Sequence, residues 1–359
     1  MLPEIAAAPL EQLVEDYLPH SHRTCAAPLE RPGAKGSDKR RLGMVKYGVR
    51  LWLLVVWLAA CQVVTPTSPA LTGQRVMAVE SFLADIARQI AGERMQVEAL
   101  IPPGLDPHLF EPTPQDIARI ADSQALIING AGLESGWLQR VSEQIDNHTV
   151  LIEAAAGLEP LGTAASHADH TADSETTPDH EHPHGNPHFW LDPVLTIHYV
   201  ENITSGLIQL DPAGAEEYRQ RAAAYTAQLT TLDSWIRSQV DQLPPERRLL
   251  VTNHESLDYF SARYGFVIVG VIVPSTTSAA EPSAQSIARL IDTIRASGAP
   301  AIFLETGTNP QVAEQIAAET GVRVVTDLYT HSLSDAGGPA ATYIDMMKHN
   351  VSSIIQALR

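Results

Sequence analysis

The chain has 359 residues, room for about two domains of ordinary size; 44% are hydrophobic and 18% charged, the balance of a folded globular protein and not of a disordered one. A formal net charge of −18 argues against a nucleic-acid binder, which needs clustered positive charge to displace counterions. It suits an extracytoplasmic protein that handles cations.

Residues 1–43 carry scattered charge, Pro and Gly without sustained periodicity, and are read as a mis-called or disordered extension ahead of a true start at Met44. From there Lys46 and Arg50 precede the apolar run Leu51-Trp52-Leu53-Leu54-Val55-Val56-Trp57, which ends in Leu58-Ala59-Ala60-Cys61. A basic region, a short apolar region and small residues at a cleavage point make residues 44–60 a secretory signal. The run falls short of the roughly 20 apolar residues a bilayer span needs. Leu-Ala-Ala-Cys resembles a bacterial lipobox, which makes Cys61 the lipidated first residue of the mature chain; a plain signal peptide with a chance cysteine is the rival. The only other cysteine is Cys25, so the mature protein is expected to have neither a disulfide nor a cysteine metal site.

Residues 61–73 read as a tether. Beyond them Arg75–Val79 is a strand candidate and Ser81–Ala91 a helix closed by Gly92. Thr113-Pro114-Gln115-Asp116 opens another helix, with Thr as N-cap, Pro first and an acid third. Ala125–Ile128 is a buried strand. Residues 162–187 lack any apolar period and hold His167, His170, His180, His182 and His184 among acids; such a loop can bind divalent ions loosely without preorganising a tight site. Across Pro212–Gln242, the residues Tyr218, Tyr225, Leu229, Leu232, Ile236 and Val240 fall at helical spacing, and predict one helix of about 30 residues and about 45 Å. Leu249–Thr252, Val267–Val273, Ala301–Leu304 and Val322–Thr326 are apolar strand candidates, alternating with helices that begin near Pro282 and Pro310 and end at Gly298 and Gly321. Near-continuous apolar strands alternating with helices imply an α/β fold of two lobes, each a mainly parallel sheet covered by helices. The lobes are assigned to residues 74–210 and 246–359, joined through 211–245.

Four isolated histidines stand where a ligand would bind. His108 lies in the rigid turn Asp106-Pro107-His108-Leu109-Phe110-Glu111-Pro112, and His188 in the proline-pinned Asn186-Pro187-His188-Phe189-Trp190-Leu191-Asp192-Pro193. His254 follows the strand at Leu249–Thr252, and His331 follows the one at Val322–Thr326. Ligands of parallel α/β sheets sit beyond the carboxyl ends of the strands, and two of these histidines fall in each lobe. Imidazole favours zinc, copper, nickel and iron over magnesium, calcium and manganese.

These segments resemble the metal-binding solute-binding lipoproteins of zinc and manganese ABC importers, the cluster A-I family, from about residue 74 onward. The resemblance rests on the Pro-His-x-x-Glu-Pro-Thr-Pro and Pro-His-x-Trp-Leu-Asp-Pro turns, the helix ending in Tyr264-Gly265, Ala280-Glu281-Pro282-Ser283, and the tail from Thr342 to Met347. It implies two α/β lobes joined by one long helix, with His108, His188 and His254 as the first three metal ligands. The fourth position departs from the pattern, because most members carry Asp where this chain has His331. His331 is the expected ligand, with Asp327 or a water as the alternative, and Asp327 or Glu305 is expected to compensate charge from behind the ligands. Manganese-type members tend to have Glu at the third position, so His254 and the His-rich loop favour Zn²⁺. The resemblance further implies a monomer, anchored by lipid at Cys61 on the outer face of the cell membrane or in the periplasm, which delivers its ion to a permease with its ATPase and binds no nucleic acid.

An enzyme is disfavoured. His254-Glu255 starts like a zinc-protease helix, but the fifth residue is Asp258, so His-Glu-x-x-His is absent. No Gly-rich phosphate loop or G-x-S-x-G elbow occurs. A manganese-specific protein of the same kind and a surface adhesin or zinc store remain as alternatives. Affinity is expected to fall below the ordinary histidine pKa of about 6.5, and a long connecting helix is expected to permit only small motions.

Overall fold

The computed structural model describes residues 74–143, 149–162, 185–278 and 280–359. Cys25, Cys61, the signal at 44–60 and the five loop histidines lie outside these residues. None of the described helices is long and apolar enough to cross a membrane.

The first sheet is built from β1 (Arg75–Ala78), β2 (Gln96–Ala99), β3 (Ala125–Ile128) and β4 (Val150–Glu153), all parallel, in the order β2-β1-β3-β4. Helices α1 (Ser81–Ala91), α2 (Pro114–Ala121) and α3 (Ser135–Ser142) connect these strands. The expected start of α2 is present in full: the Thr113 hydroxyl accepts from the Asp116 N–H while the Asp116 carboxylate accepts from the Thr113 N–H, satisfying two otherwise orphaned donors. After α4 (Thr196–Leu210) and a single 3-10 turn at Pro212–Gly214 comes the long helix α5 (Ala215–Val240). It has 26 residues, so it is about 39 Å long. It is shorter than the sequence suggests because Pro212 and Gly214 shape a separate tight turn ahead of it.

The second sheet repeats the first. Strands β5 (Leu249–Thr252), β6 (Val267–Val271), β7 (Ala301–Glu305) and β8 (Arg323–Leu328) are parallel in the order β6-β5-β7-β8. Helices α6 (Asp258–Tyr264), α7 (Ala284–Ser297), α8 (Gln311–Thr320) and α9 (Tyr343–Leu358) complete it. Gly298 (φ 71°) and Gly321 (φ 80°) close α7 and α8 in the left-handed region, where a side chain would be strained. Strand β8 starts one residue later than expected and runs two residues further, to Leu328, because its last residues still pair with Glu305 on β7.

All six stripe residues of α5 are buried. They belong to one continuous apolar core that includes Val76 and Ile127 of the first sheet, Leu250, Phe303 and Leu328 of the second, and Tyr343, Met346 and Ile354 of α9. Each such side chain contributes about 1.5–3 kcal/mol on burial, so α5 is a shared wall of both halves and not a free strut. In each sheet the strand order reverses between its first and third strands, opening a crevice at their carboxyl ends. His108, His254 and His331 lie in the segments that follow β2, β5 and β8, and His188 in the segment between β4 and α4.

Candidate metal centre

Each histidine is delivered by a different loop. His108 sits in a 3-10 turn (Pro107–Leu109) between β2 and α2, whose first N–H groups are capped by the Asp106 carboxylate accepting from His108 N at 2.9 Å. Pro107 suits that position, since its missing N–H loses nothing there. His188 immediately precedes a second 3-10 turn (Phe189–Leu191) whose three residues are buried. His254 is the second residue beyond β5, and His331 the third beyond β8.

The four rings converge. His188 Nε2 lies 3.2 Å from His108 Nε2, 3.1 Å from His331 Nε2 and 3.4 Å from His254 Nε2. One ligand atom from each of the four residues falls within 4.8 Å of all the others. Nitrogens at about 2.0–2.1 Å from a tetrahedral ion stand about 3.3–3.4 Å apart, close to the three separations around His188. His188, His254 and His331 are buried and His108 is partly exposed.

The outer ring nitrogens are held so that the inner ones face the centre. His188 Nδ1 lies 2.7 Å from Asn186 Oδ1, an oxygen that can only accept, so Nδ1 carries the proton and Nε2 presents a lone pair. Asn186 donates in turn to the Glu255 carbonyl at 2.7 Å and to Asp258 at 2.8 Å, tying the first half to the second. His331 Nδ1 is 3.1 Å from the Thr330 hydroxyl, and the Thr330 carbonyl accepts from Trp190 Nε1 at 2.6 Å. His254 Nδ1 is 3.0 Å from Glu305 Oε1; the N–H is not aligned on that oxygen, so the contact is chiefly electrostatic. Partners of this kind fix the tautomer and raise the basicity of metal-binding histidines.

Burial governs the charge state. It holds His188 and His331 well below the ordinary histidine value and brings His108 down to about 4, in each case with help from the neighbouring imidazoles. Burial also pulls His254 down, but the carboxylates around it, Glu305 foremost with Asp106 and Glu255 behind it, together hold His254 above its ordinary value. Burial pushes Glu305 up, but His254, with His331 and a backbone N–H, more than offsets this and holds the carboxyl below its ordinary value. Three neutral imidazoles with inward lone pairs and a fourth beside an anion form a cation site.

Glu305 therefore stands behind the cluster, as expected. Asp327 does not: its carboxylate is half exposed, lies 3.3 Å from His349 Nε2 and accepts from Ser353 at 3.1 Å, on the α9 side of β8. Sequence reasoning passed over Asn186 and Asp106 as ligand holders, although both stand two residues ahead of a candidate histidine. It also missed the buried pair Glu80 and Glu134, each raised by burial, with Glu134 pushed up to about 7.

A family profile described as the zinc-uptake complex component A, periplasmic (ZnuA) matches residues 76–357. The chain belongs to this family. It is a metal-binding substrate-binding protein of the ABC transporters and not an enzyme, and proteins of this kind work outside the cytoplasm with a permease and an ATPase. It is 34% identical over 294 residues to the manganese-binding lipoprotein MntA of Halalkalibacterium halodurans, covering 82% of this chain and 91% of that one. It is 32% identical over 292 residues to the iron-binding protein YfeA of Yersinia pestis, covering 80% and 88%. Among solved structures, the periplasmic zinc-binding protein TroA from Treponema pallidum superposes with a TM-score of 0.68 at 28% identity, covering 80% of this chain and 99% of that one. A manganese-bound periplasmic metal-binding protein from Candidatus Liberibacter asiaticus gives the same score at 26% identity, over 80% of this chain and 100% of that one. Divalent metal is thus the cargo, and the choice among manganese, iron and zinc turns on the site.

Proposed function

We propose that this protein captures Zn²⁺ through His108, His188, His254 and His331 and delivers it to the permease of an ABC importer. The observation that carries the reading is the convergence of four imidazoles from four loops within 4.8 Å. An all-nitrogen set of four ligands is ordinary for zinc, whereas manganese favours carboxylate and water. The names of the relatives favour manganese or iron as the second reading; manganese would need oxygen ligands that this cluster does not itself contain, whereas iron accepts imidazole.

The protein works as a monomer, with lobes at 74–210 and 246–359 joined through 211–245, tethered by lipid at Cys61 once the signal at 44–60 is removed. Loss of membrane association in Cys61→Ser, with zinc binding retained, supports the anchor. Metal analysis of the chain from Gln62 onward, with competition titrations of zinc against manganese, tests the cargo. The expected result is one zinc per chain, displaced by manganese only at large excess. Preferential loading of manganese would defeat the reading.

A further inference from the structure

Four neutral imidazoles bring no charge to a divalent ion, so a loaded site of this composition holds two uncompensated positive charges in a buried place, which is costly. Glu305 supplies one negative charge beside His254. Of the other carboxylates, Asp106 acts next most strongly on His254, ahead of Glu255, and acts on His108 as well. Asp106 and Glu305 line the same cleft of about 860 Å³, which His331 also borders.

The Asp106 side chain has a second task. One oxygen accepts from His108 N at 2.9 Å, and the other accepts from the Ser278 hydroxyl, which comes from the opposite half of the molecule. Ser332, also from the second half, accepts from Gly104 N at 2.9 Å two residues earlier. The loop carrying His108, the one partly exposed member of the cluster, is therefore pinned by two hydroxyls from across the cleft. A second cavity of about 290 Å³ lies on the other side of that loop, bordered by His108 and Trp137.

We propose that Asp106 determines how tightly this site holds its ion, acting as the second compensating charge and as the clasp that Ser278 closes over the His108 loop. With Glu305 it makes a site of four neutral imidazoles and one divalent cation electrically neutral. This rests on the four-histidine reading above, and Asp106 is a positioning residue, not a ligand.

Two variants separate the roles. Asp106→Asn keeps an oxygen for the His108 N–H but removes the charge; Ser278→Ala keeps the charge and opens the clasp. Zinc affinity is measured by chelator competition at low and high salt, dissociation rates by stopped flow, and ligand geometry by the absorption of the Co²⁺-loaded protein. Asp106→Asn is expected to bind zinc roughly 10–100-fold more weakly, by a factor that shrinks as salt is raised. Its cobalt spectrum should remain tetrahedral. Ser278→Ala is expected to release zinc several-fold faster with the same spectrum. Zinc affinity within twofold of wild type in Asp106→Asn, or a changed cobalt spectrum, overturns the proposal. Failure of the wild type to bind zinc or to give a tetrahedral cobalt spectrum would overturn the four-histidine reading and this inference with it, so the two failures are told apart by the wild type.

Discussion

His254 and Glu305 reach each other from the ends of adjacent parallel strands, with Nδ1 3.0 Å from Oε1 and both side chains buried. The pairing sits in the crevice where the strand order of the second sheet reverses, so the topology of the sheet, and not a local motif, places an anion beside the third histidine. Glu305→Gln removes the anion and leaves an amide of the same shape. Zinc affinity should drop by about 10–100-fold while the tetrahedral cobalt spectrum persists. An affinity equal to wild type would show that Glu305 does not tune the site.

The fourth ligand is tested by a pair of alanines. His331→Ala removes a buried inward-facing nitrogen and should weaken zinc binding by roughly a hundredfold or more, beyond the range for supporting residues. Asp327→Ala touches only a surface contact with His349 and Ser353 and should leave affinity within about twofold. Isothermal competition titration of both variants reads the difference directly, and the reverse pattern would contradict the geometry.

The pH dependence of binding should reflect one proton and not four. His188 and His331 are held well below their ordinary value and His108 near about 4, so they stay neutral in the metal-free protein at mildly acid pH. His254 is raised by Glu305, so below its raised value one proton must leave for the ion to bind. Apparent affinity should therefore fall about tenfold per pH unit as pH drops below that value. Calorimetry in buffers of different ionisation enthalpy counts the protons, and release of three or more would contradict it.

Glu80 and Glu134 give a prediction about stability. Both oxygens of Glu80 lack a hydrogen-bond donor, while Glu134 accepts from Asn129 N at 2.6 Å and Gly130 N at 3.1 Å. Burial raises both, so the folded state holds protons that the unfolded state releases. Stability should thus decline as pH rises from the ordinary carboxyl value of 4.5 through about 7. Glu80→Gln supplies an amide donor to Glu134 and removes one charge. At pH 8 it should raise the melting temperature of the metal-free protein by about 2–6 °C and flatten its pH profile. A lower melting temperature at pH 8 would contradict this.

Loading should change overall dimensions very little, because the core that includes α5 continues into both sheets. Scattering profiles of metal-free and zinc-loaded protein should superimpose apart from small loop terms. A large compaction would contradict the shared core.

Periodicity and caps made much of this architecture readable in advance. The stripe from Tyr218 to Val240 gave the joining helix, and Thr113-Pro114-x-Asp116 gave a helix start that proved correct to the residue. Strands β2 and β4 escaped because both are four-residue edge strands, Gln96–Ala99 with polar residues at alternate positions and Val150–Glu153 too short for its apolar run to show a period. The four histidines stood out because each follows a strand or sits in a proline turn. Their supports were hidden, since Asp106–Ser278 spans 172 residues and Asn186–Asp258 spans 72. Contacts of that range leave no periodic trace in a chain.

Because a single core underlies both sheets while every candidate ligand projects from a connecting segment at its rim, scaffold and selectivity are separable. Exchanging one ligand at a loop tip therefore alters the surroundings of the ion without asking the body of the molecule to refold. Splitting the gene between the sheets, by contrast, would leave two fragments, each missing one wall of its own interior.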